Sequence, residues 1–247
     1  QRQMCIRDSH TLWQNCEWAN LRMENDSTIT GYKLVKGWGP ERHIYFTAVF
    51  SKKLKNFRIM QDKKPVIYNT MRFRSSYEAW GKNLMACISF ETEENETVTV
   101  KTAISAVSTA GAKENLRELD GVSFDELRQK GVDLWEKELS KYEVDGTKDD
   151  KITFYTAAYR AAMHPFIFQD SDGRFRGLDK NIEKADGFTN YTVLSLWDTY
   201  RAFHPWLNLV NQELNANIAN SMLAHYDKSV EKMLPIWSFY GNETWCM

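Results

Sequence analysis

The chain has 247 residues, which is enough for one large domain or for two of ordinary size. Hydrophobic residues make up 43% and charged residues 26%, as in folded globular proteins. Basic and acidic side chains nearly balance (32 against 33), and no apolar run approaches the roughly 20 residues that cross a bilayer, so we expect neither a nucleic-acid partner nor a transmembrane segment.

Both ends of the sequence have unusual features. Residues 1–9 (QRQMCIRDS) resemble the translation of an adapter used to prepare sequencing libraries, so we expect a cloning or assembly scar without fold information. The last residues (NETWCM) stop within an aromatic stretch that has neither a helix cap nor a polar tail. We therefore expect the chain to be an internal piece of a longer protein.

Residues 10–108 have the pattern of β-structure. Short runs rich in β-branched and aromatic residues alternate with turn-like pieces such as GWGPER and TEENE. Strands are predicted over residues 28–35, 43–50, 56–61, 84–90 and 97–107. Strands at this spacing, with no helical pattern between them, favour an antiparallel β-sandwich.

Helical periodicity begins after residue 108. We predict a helical linker over residues 109–146, with a capping box at Ser123 and Glu126. In the part from residue 147 to 247, Asp149 and Asp150 should begin a helix that Pro165 ends. Residues 166–177 are predicted to form a hairpin, followed by helices over 194–210 and 215–226. Long helices separated by elaborate loops are typical of an α-toroid, whose sites lie at the loop end.

One acidic turn invites a comparison with calcium loops. Asp170, Asp172 and Gly173 begin like an EF-hand, but Arg174, Phe175 and Asn181 stand where that loop needs an oxygen ligand, a glycine and a glutamate. The pattern therefore favours a β-turn.

A second motif, SLWDTYR, places Asp198 and Arg201 three residues apart beside Trp197 on a predicted helix. One interpretation is an intrahelical ion pair worth a few tenths of a kcal/mol. The other is a sugar clamp, in which a carboxylate and a guanidinium bind vicinal hydroxyls next to an aromatic platform. Glu243, in GNETW, also has two interpretations: it lies in a surface turn, or it is a site residue on a loop.

Two His-Pro pairs follow similar Tyr-Arg-Ala sequences, at His164-Pro165 and His204-Pro205. We expect each pair to mark a helix end, where histidine interacts favourably with the helix dipole. Metal ligation or general-base chemistry is the alternative.

The motifs together resemble the family-92 glycoside hydrolases, calcium-dependent exo-α-mannosidases of gut bacteria. The resemblance lies in TFYTAAYRAAMHPFI, DSDGRFRGLD, YTVLSLWDTYRAFHPWLNLV and MLPIWSFYGNETWCM. Upstream, GYKLVKGWGPERHIYFTAVFSK and LWEKELSKYEV are similar to the second half of the family's N-terminal sandwich and to the helical linker after it. About residues 20–247 are covered.

The resemblance implies a multidomain α and β protein: a partial N-terminal β-sandwich (10–108), a helical linker (109–146) and the first part of an (α/α)6 toroid (147–247). It implies an inverting mechanism, in which one carboxylic acid protonates the leaving oxygen and a second carboxylate activates water. It also implies calcium bound to O2 and O3 of the terminal mannose, although it identifies no ligands for that ion in this chain.

By position in the motif, Asp198 corresponds to the carboxylate that holds the terminal mannose, and Trp197, Arg201 and Glu243 are further candidates for substrate binding. The resemblance places the catalytic acid and base beyond Met247, so we expect this piece alone to be inactive. The substrates would be mannose-terminated N-glycans or mannans, with α1,2 linkages expected. The location would be periplasmic, cell-surface or secreted in a bacterium. A non-catalytic glycan-binding relative and a different (α/α)6 glycosidase remain the alternatives.

Overall fold

The computed structural model describes residues 3–7, 15–37, 39–66, 77–234 and 237–244, with only the backbone described for 3–7 and for 243 and 244. Among these residues no helix combines the length and apolar character needed to cross a membrane. The chain begins with β-structure and continues with helices and short strands.

Antiparallel strands make up the first part. They are β1 (Gln3–Arg7), β2 (Asn15–Asn25), β3 (Thr28–Lys36), β4 (Arg42–Phe50), β5 (Asn56–Gln61), β6 (Lys64–Pro65), β7 (Glu78–Gly81), β8 (Leu84–Ser89) and β9 (Val100–Ser105). Within the described residues they form one sheet in the order β7-β2-β3-β4-β9 and another in the order β1-β8-β5-β6.

The two sheets face each other across a shared apolar core. Ile29 of β3 and Phe50 of β4 pack in one cluster with Ile88 of β8, while Leu21 of β2 and Leu84 of β8 belong to a second cluster. Each large apolar side chain buried in this way contributes about 1.5–3 kcal/mol. The predicted antiparallel sandwich is therefore confirmed, and five of its strands lie where the sequence pattern placed them.

The longest strand that the pattern missed is β2, which is central to its sheet and pairs with both β3 and β7. Its sequence, NCEWANLRMEN, buries only Ala19, Asn20 and Leu21 in succession. Burial of Asn20 is possible because its amide donates to Glu78 Oε1 (3.0 Å) and to the carbonyl of Ala79 (3.2 Å). The surrounding charges hide the apolar alternation on which strand prediction depends.

Strand β1 lies within residues 1–9, from which we expected no fold information. It pairs antiparallel with β8, from Gln3↔Ser89 to Arg7↔Met85. This expectation is therefore wrong for the backbone of residues 3–7. An exposed strand edge presents N–H and C=O groups that pair with almost any extended segment, so the pairing does not depend on the origin of the sequence. That origin stays a prediction.

Two helices carry the capping boxes that begin them. The linker contains α1 (Thr109–Leu116), a short 3-10 helix (Arg117–Leu119) and α2 (Phe124–Leu139), followed by α3 (Lys148–Ala162). Ser123 and Glu126 cap α2 reciprocally, as predicted, and Thr147 with Asp150 caps α3 in the same way. Helix α2 buries none of its residues, and Phe124 and Leu134 are 72% and 68% exposed.

The last part alternates short strands and helices. Its elements are β10 (Phe166–Ile167), β11 (Arg174–Arg176), β12 (Ile182–Lys184), β13 (Tyr191–Thr192), β14 (Leu194–Ser195), α4 (Leu196–Thr199), α5 (Phe203–Val210), α6 (Gln212–Lys228), β15 (Trp237–Ser238) and β16 (Glu243–Thr244). Leu194, Leu207, Ile218 and Met222 form its buried core. These described helices do not close a ring, so the toroid stays a prediction.

Three local predictions in this part are wrong. The two arms of the predicted 166–177 hairpin do not pair with each other, because β10 pairs with β13 and β11 pairs with β12. The predicted 194–210 helix is divided into β14, α4 and α5. His204-Pro205 does not terminate a helix, since it lies in the first turn of α5; proline is tolerated there because first-turn N–H groups have no intrahelical acceptor.

The turn at Asp170 forms a polar joint between the sandwich and the last part of the chain. Asp170 is 4% exposed and accepts hydrogen bonds from Ser105 Oγ (2.7 Å) and Asn115 Nδ2 (2.9 Å). The N–H of Gly173 donates to the carbonyl of Asp170 (2.8 Å), which confirms the predicted β-turn. Gly111 lies against this joint, and a Cβ added there would come within 2.1 Å of Asp170 Oδ2.

We predict that Gly111→Ala lowers the free energy of unfolding by about 2 kcal/mol, because the added methyl group displaces a buried, hydrogen-bonded carboxylate. The matched control is Gly131→Ala in α2, where an added Cβ meets nothing within 4 Å. The control should be neutral or stabilising by up to about 1 kcal/mol, since alanine favours helix over glycine. Urea unfolding of both variants would test this, and equal stabilities would contradict the described joint.

His225 of α6 is buried without a hydrogen-bond partner for Nδ1 among the described residues. Desolvation lowers the pKa of its imidazole from 6.5 to about 4. Between these values the unfolded chain binds a proton that the folded chain does not. The contribution of neutral His225 to the free energy of unfolding is therefore fully present above pH 6.5 and is lost as the pH falls towards 4.

We predict that His225→Gln flattens the pH dependence of unfolding between pH 7 and 4 by up to about 3 kcal/mol, the equivalent of the pKa shift. The exposed His164 offers the matched control, and His164→Gln should keep the wild-type slope. Denaturant melts at several pH values would measure both slopes. An unchanged slope in His225→Gln would show that this histidine is not held neutral.

Candidate functional site

A small sheet joins the two motifs that the sequence singled out. Within the described residues, β15 lies between β14 and β16, in the registers Leu194↔Ser238 and Ser238↔Glu243. Adjacent strands lie about 4.8 Å apart, which places the backbones of Leu194 and Glu243 about 10 Å from each other. SLWDTYR begins on β14 and GNET ends on β16, so the sheet fixes their separation.

Asp198 lies on the single turn of α4, directly after β14. Its Oδ2 accepts a hydrogen bond from Ser195 Oγ at 2.6 Å, and its Oδ1 receives none from any described residue. Trp197 beside it is 72% exposed. A carboxylate with one oxygen held by a serine and the other open can accept hydrogen bonds from ligand hydroxyls.

The predicted intrahelical pair of Asp198 with Arg201 is absent from the described residues. Helix α4 ends at Thr199, so the i, i+3 spacing of the two side chains no longer places them on one helical face. Arg201 Nε instead donates to the hydroxyl of Tyr200 (2.7 Å). The exposed side chains of Trp197, Asp198, Tyr200 and Arg201 thus form an open shelf with aromatic, anionic and cationic groups, which we call the α4 shelf.

His204 has a structural role behind the α4 shelf. Its Nε2 lies 2.9 Å from Thr199 Oγ1, and its Nδ1 lies 2.8 Å from Asn215 Oδ1. Both ring nitrogens are therefore engaged in joining α4, α5 and α6. In this arrangement His204 is not a metal ligand, because neither ring nitrogen has a free lone pair directed at an open site.

The hairpin that presents Glu243 turns in two residues. Phe239 and Asn242 exchange backbone hydrogen bonds of 2.8 and 3.0 Å, and Tyr240 and Gly241 between them have φ angles of 50° and 72°. Two positive φ angles define a type I′ turn, which usually has Asn-Gly and rarely a bulky residue at the first position. We call residues 237–244 the GNET hairpin. The side chain of Glu243 lies outside the described residues, and its role stays a prediction.

The sandwich holds this unusual turn in place. The guanidinium carbon of Arg42 lies 3.8 Å from the centre of the Tyr240 ring, and burial lowers the pKa of Arg42. Asn242 Nδ2 donates to the carbonyl of Glu41 (2.5 Å) and approaches Gly39 so closely that an added Cβ would lie 3.1 Å away. The site region is therefore built from both parts of the chain.

The sequence motifs did not predict that Arg42, Tyr240 and Asn242 hold this region together. Gly241-Asn242 carried a turn signal, but nothing in the sequence indicated that Tyr240 has a positive φ. Contacts across 200 residues create that conformation, and no local pattern reports them.

The described residues contain no group of three or more His, Cys, Asp or Glu side chains that could hold a metal ion. Asp170 is bound by Ser105 and Asn115, and Asp172 is paired with Arg174 at 2.6 Å. The donor set that this part of the chain provides therefore does not fit a calcium ion, which takes six to eight oxygen ligands.

Comparison with known families gives two adjoining matches. Residues 1–105 match the model of the glycosyl hydrolase family 92 N-terminal domain, and residues 111–247 match that of the family's catalytic domain. No curated protein sequence matches the chain.

Solved structures agree with the family matches. The family GH92 alpha-mannosidase BT3965 from Bacteroides thetaiotaomicron is 78% identical, with a TM-score of 0.95 over 99% of this chain, and it has also been solved in complex with mannoimidazole. The inverting mannosidase BT2199 from the same organism is 22% identical, with a TM-score of 0.81 over 94% of this chain, and shows the fold alone. This chain spans about a third of these proteins: 33% of BT3965 and 31% of BT2199.

Proposed function

Because the chain belongs to glycoside hydrolase family 92, we propose that it forms part of an inverting exo-α-mannosidase that removes terminal α-mannose from N-glycans or mannans. The observation that carries this proposal is the 78% identity with BT3965 across almost all of the chain. BT3965 binds mannoimidazole, and at such identity a shared sugar-binding chemistry is the simplest expectation. We propose α1,2-linked mannose as the substrate.

The α4 shelf supports a role in substrate binding. Vicinal hydroxyls of a mannose can donate to the open Oδ1 of Asp198, while the exposed ring of Trp197 offers a flat apolar surface to the C–H face of a sugar. Arg201 provides donors for ring or glycosidic oxygens. We propose these three residues and Glu243 as substrate-binding groups.

Catalysis by inversion needs an acid and a base about 6.5–9.5 Å apart, on opposite sides of the scissile bond. We assign neither role within this chain. We propose that a protein of the family's usual length supplies both, in an (α/α)6 toroid whose further helices cover the exposed apolar residues of α2. By itself the 247-residue chain should release no mannose.

We propose calcium as the cofactor of the longer enzyme. Its ligands would come from outside the described residues, since these residues provide no suitable cluster. We also propose that the enzyme works in the periplasm, at the cell surface or outside a bacterial cell, where its polymeric substrates are accessible.

The direct test measures mannose released from a high-mannose glycan by a protein of the family's length that contains this chain. We expect release that a chelator abolishes and added calcium restores. The 247-residue chain, assayed in parallel, should be inactive. Activity that survives complete chelation would contradict the calcium proposal. Binding of the glycan without any release would instead favour a non-catalytic relative.

A further inference from the structure

Lys180 reaches the GNET hairpin from a separate loop. Its ammonium donates to the carbonyl of Gly241 (2.6 Å) and to Oδ1 of Asn242 (2.5 Å). No described carboxylate lies within ion-pair distance of it, and burial lowers its pKa. A half-buried cation held only by neutral oxygens does little for stability, because desolvation offsets the bonds it makes.

The Asn242 side chain forms hydrogen bonds with three segments of the chain. Asn242 is 1% exposed, and its Oδ1 accepts the hydrogen bond from Lys180. Through Nδ2 it donates to the carbonyl of Glu41 in the sandwich, with longer contacts to the carbonyls of Phe239 (3.3 Å) and Tyr240 (3.2 Å). One amide therefore joins the Lys180 loop, the sandwich and the turn.

The Lys180 loop is itself held against the sandwich. Arg176 donates from Nη1 to the carbonyl of Lys180 (2.8 Å) and from Nε to the carbonyl of Ala106 (3.0 Å), just after β9. The same residue limits the hairpin, since a Cβ added to Gly241 would lie 2.9 Å from the carbonyl oxygen of Arg176. Lys180 therefore donates from a fixed position.

Two residues in these contacts have left-handed backbones that bulky side chains avoid, Lys180 with φ 68° and Tyr240 with φ 50°. Each such residue has a strained backbone, which persists only where its surroundings determine it strongly. Strain of this kind, maintained by a half-buried cation that has no carboxylate partner among the described residues, is typical of positions selected for site geometry rather than for stability.

We propose that Lys180 is a positioning residue of the mannosidase site, acting through Asn242 to fix the backbone of Glu243 relative to the sandwich and the α4 shelf. Glu243 follows Asn242 directly and lies on β16, two strands from the strand that leads to Asp198. The inference rests on the proposed function for its catalytic consequence. Its structural part, the restraint of the hairpin, stands on the contacts alone.

The test uses Lys180→Met, Lys180→Arg and a matched control, Lys184→Met, whose side chain is exposed on β12. In the family-length protein we expect Lys180→Met to lower kcat/KM for mannoside hydrolysis at least ten-fold, mainly through KM, while the control stays at the wild-type value. Lys180→Arg keeps a cationic donor, so its kcat/KM should lie within about three-fold of the wild-type value.

Hydrogen exchange gives a readout that does not depend on activity. In Lys180→Met we expect the amides of Phe239 and Asn242 to exchange at least ten-fold faster, with the sandwich amides unchanged. Wild-type kinetics in Lys180→Met, or faster exchange throughout the protein, would overturn the proposal. If the wild-type enzyme releases no mannose, the proposed function fails, and the exchange data still decide whether Lys180 restrains the hairpin.

Discussion

The two-residue turn at Tyr240 and Gly241 holds the candidate site together. A type I′ turn with tyrosine in its first position is unfavourable as an isolated peptide, because the side chain crowds its own carbonyl. Here the ring of Tyr240 packs against the guanidinium of Arg42 in the sandwich. The backbone N–H of Tyr240 donates to Thr192 Oγ1 (2.7 Å). Contacts with both the sandwich and the last part of the chain therefore stabilise the turn.

A second polar joint explains why those two parts keep one orientation. Asp170 is buried between the end of β9 and helix α1, and Gly111 leaves the space that its carboxylate fills. Buried hydrogen-bonded groups of this kind give little net stability, yet they penalise any other arrangement because a displaced partner would be left unsatisfied. The Asp170 joint and the GNET hairpin therefore fix the orientation at two separate places.

Local sequence signals predicted local structure well. Capping boxes, apolar periodicity and turn residues identified α2, α6 and five strands of the sandwich, since each signal acts within a few residues. The failures involve long-range pairing. β10 pairs with β13 and not with β11, the next strand along the chain. β2 is a strand because it lies between β3 and β7. The motif resemblance indicated Asp198 and Glu243, but the sheet that sets their separation could not be inferred from either motif alone.

We propose that the α4 shelf, held beside the GNET hairpin, binds the sugar. The most direct measurement is calorimetric titration of mannoimidazole into the family-length protein and its Asp198→Ala variant. We expect at least a hundred-fold weaker binding for the variant, at unchanged melting temperature, because the exposed Asp198 contributes to ligand binding and not to the core. Equal affinities would place the sugar elsewhere and contradict a role for the α4 shelf in sugar binding.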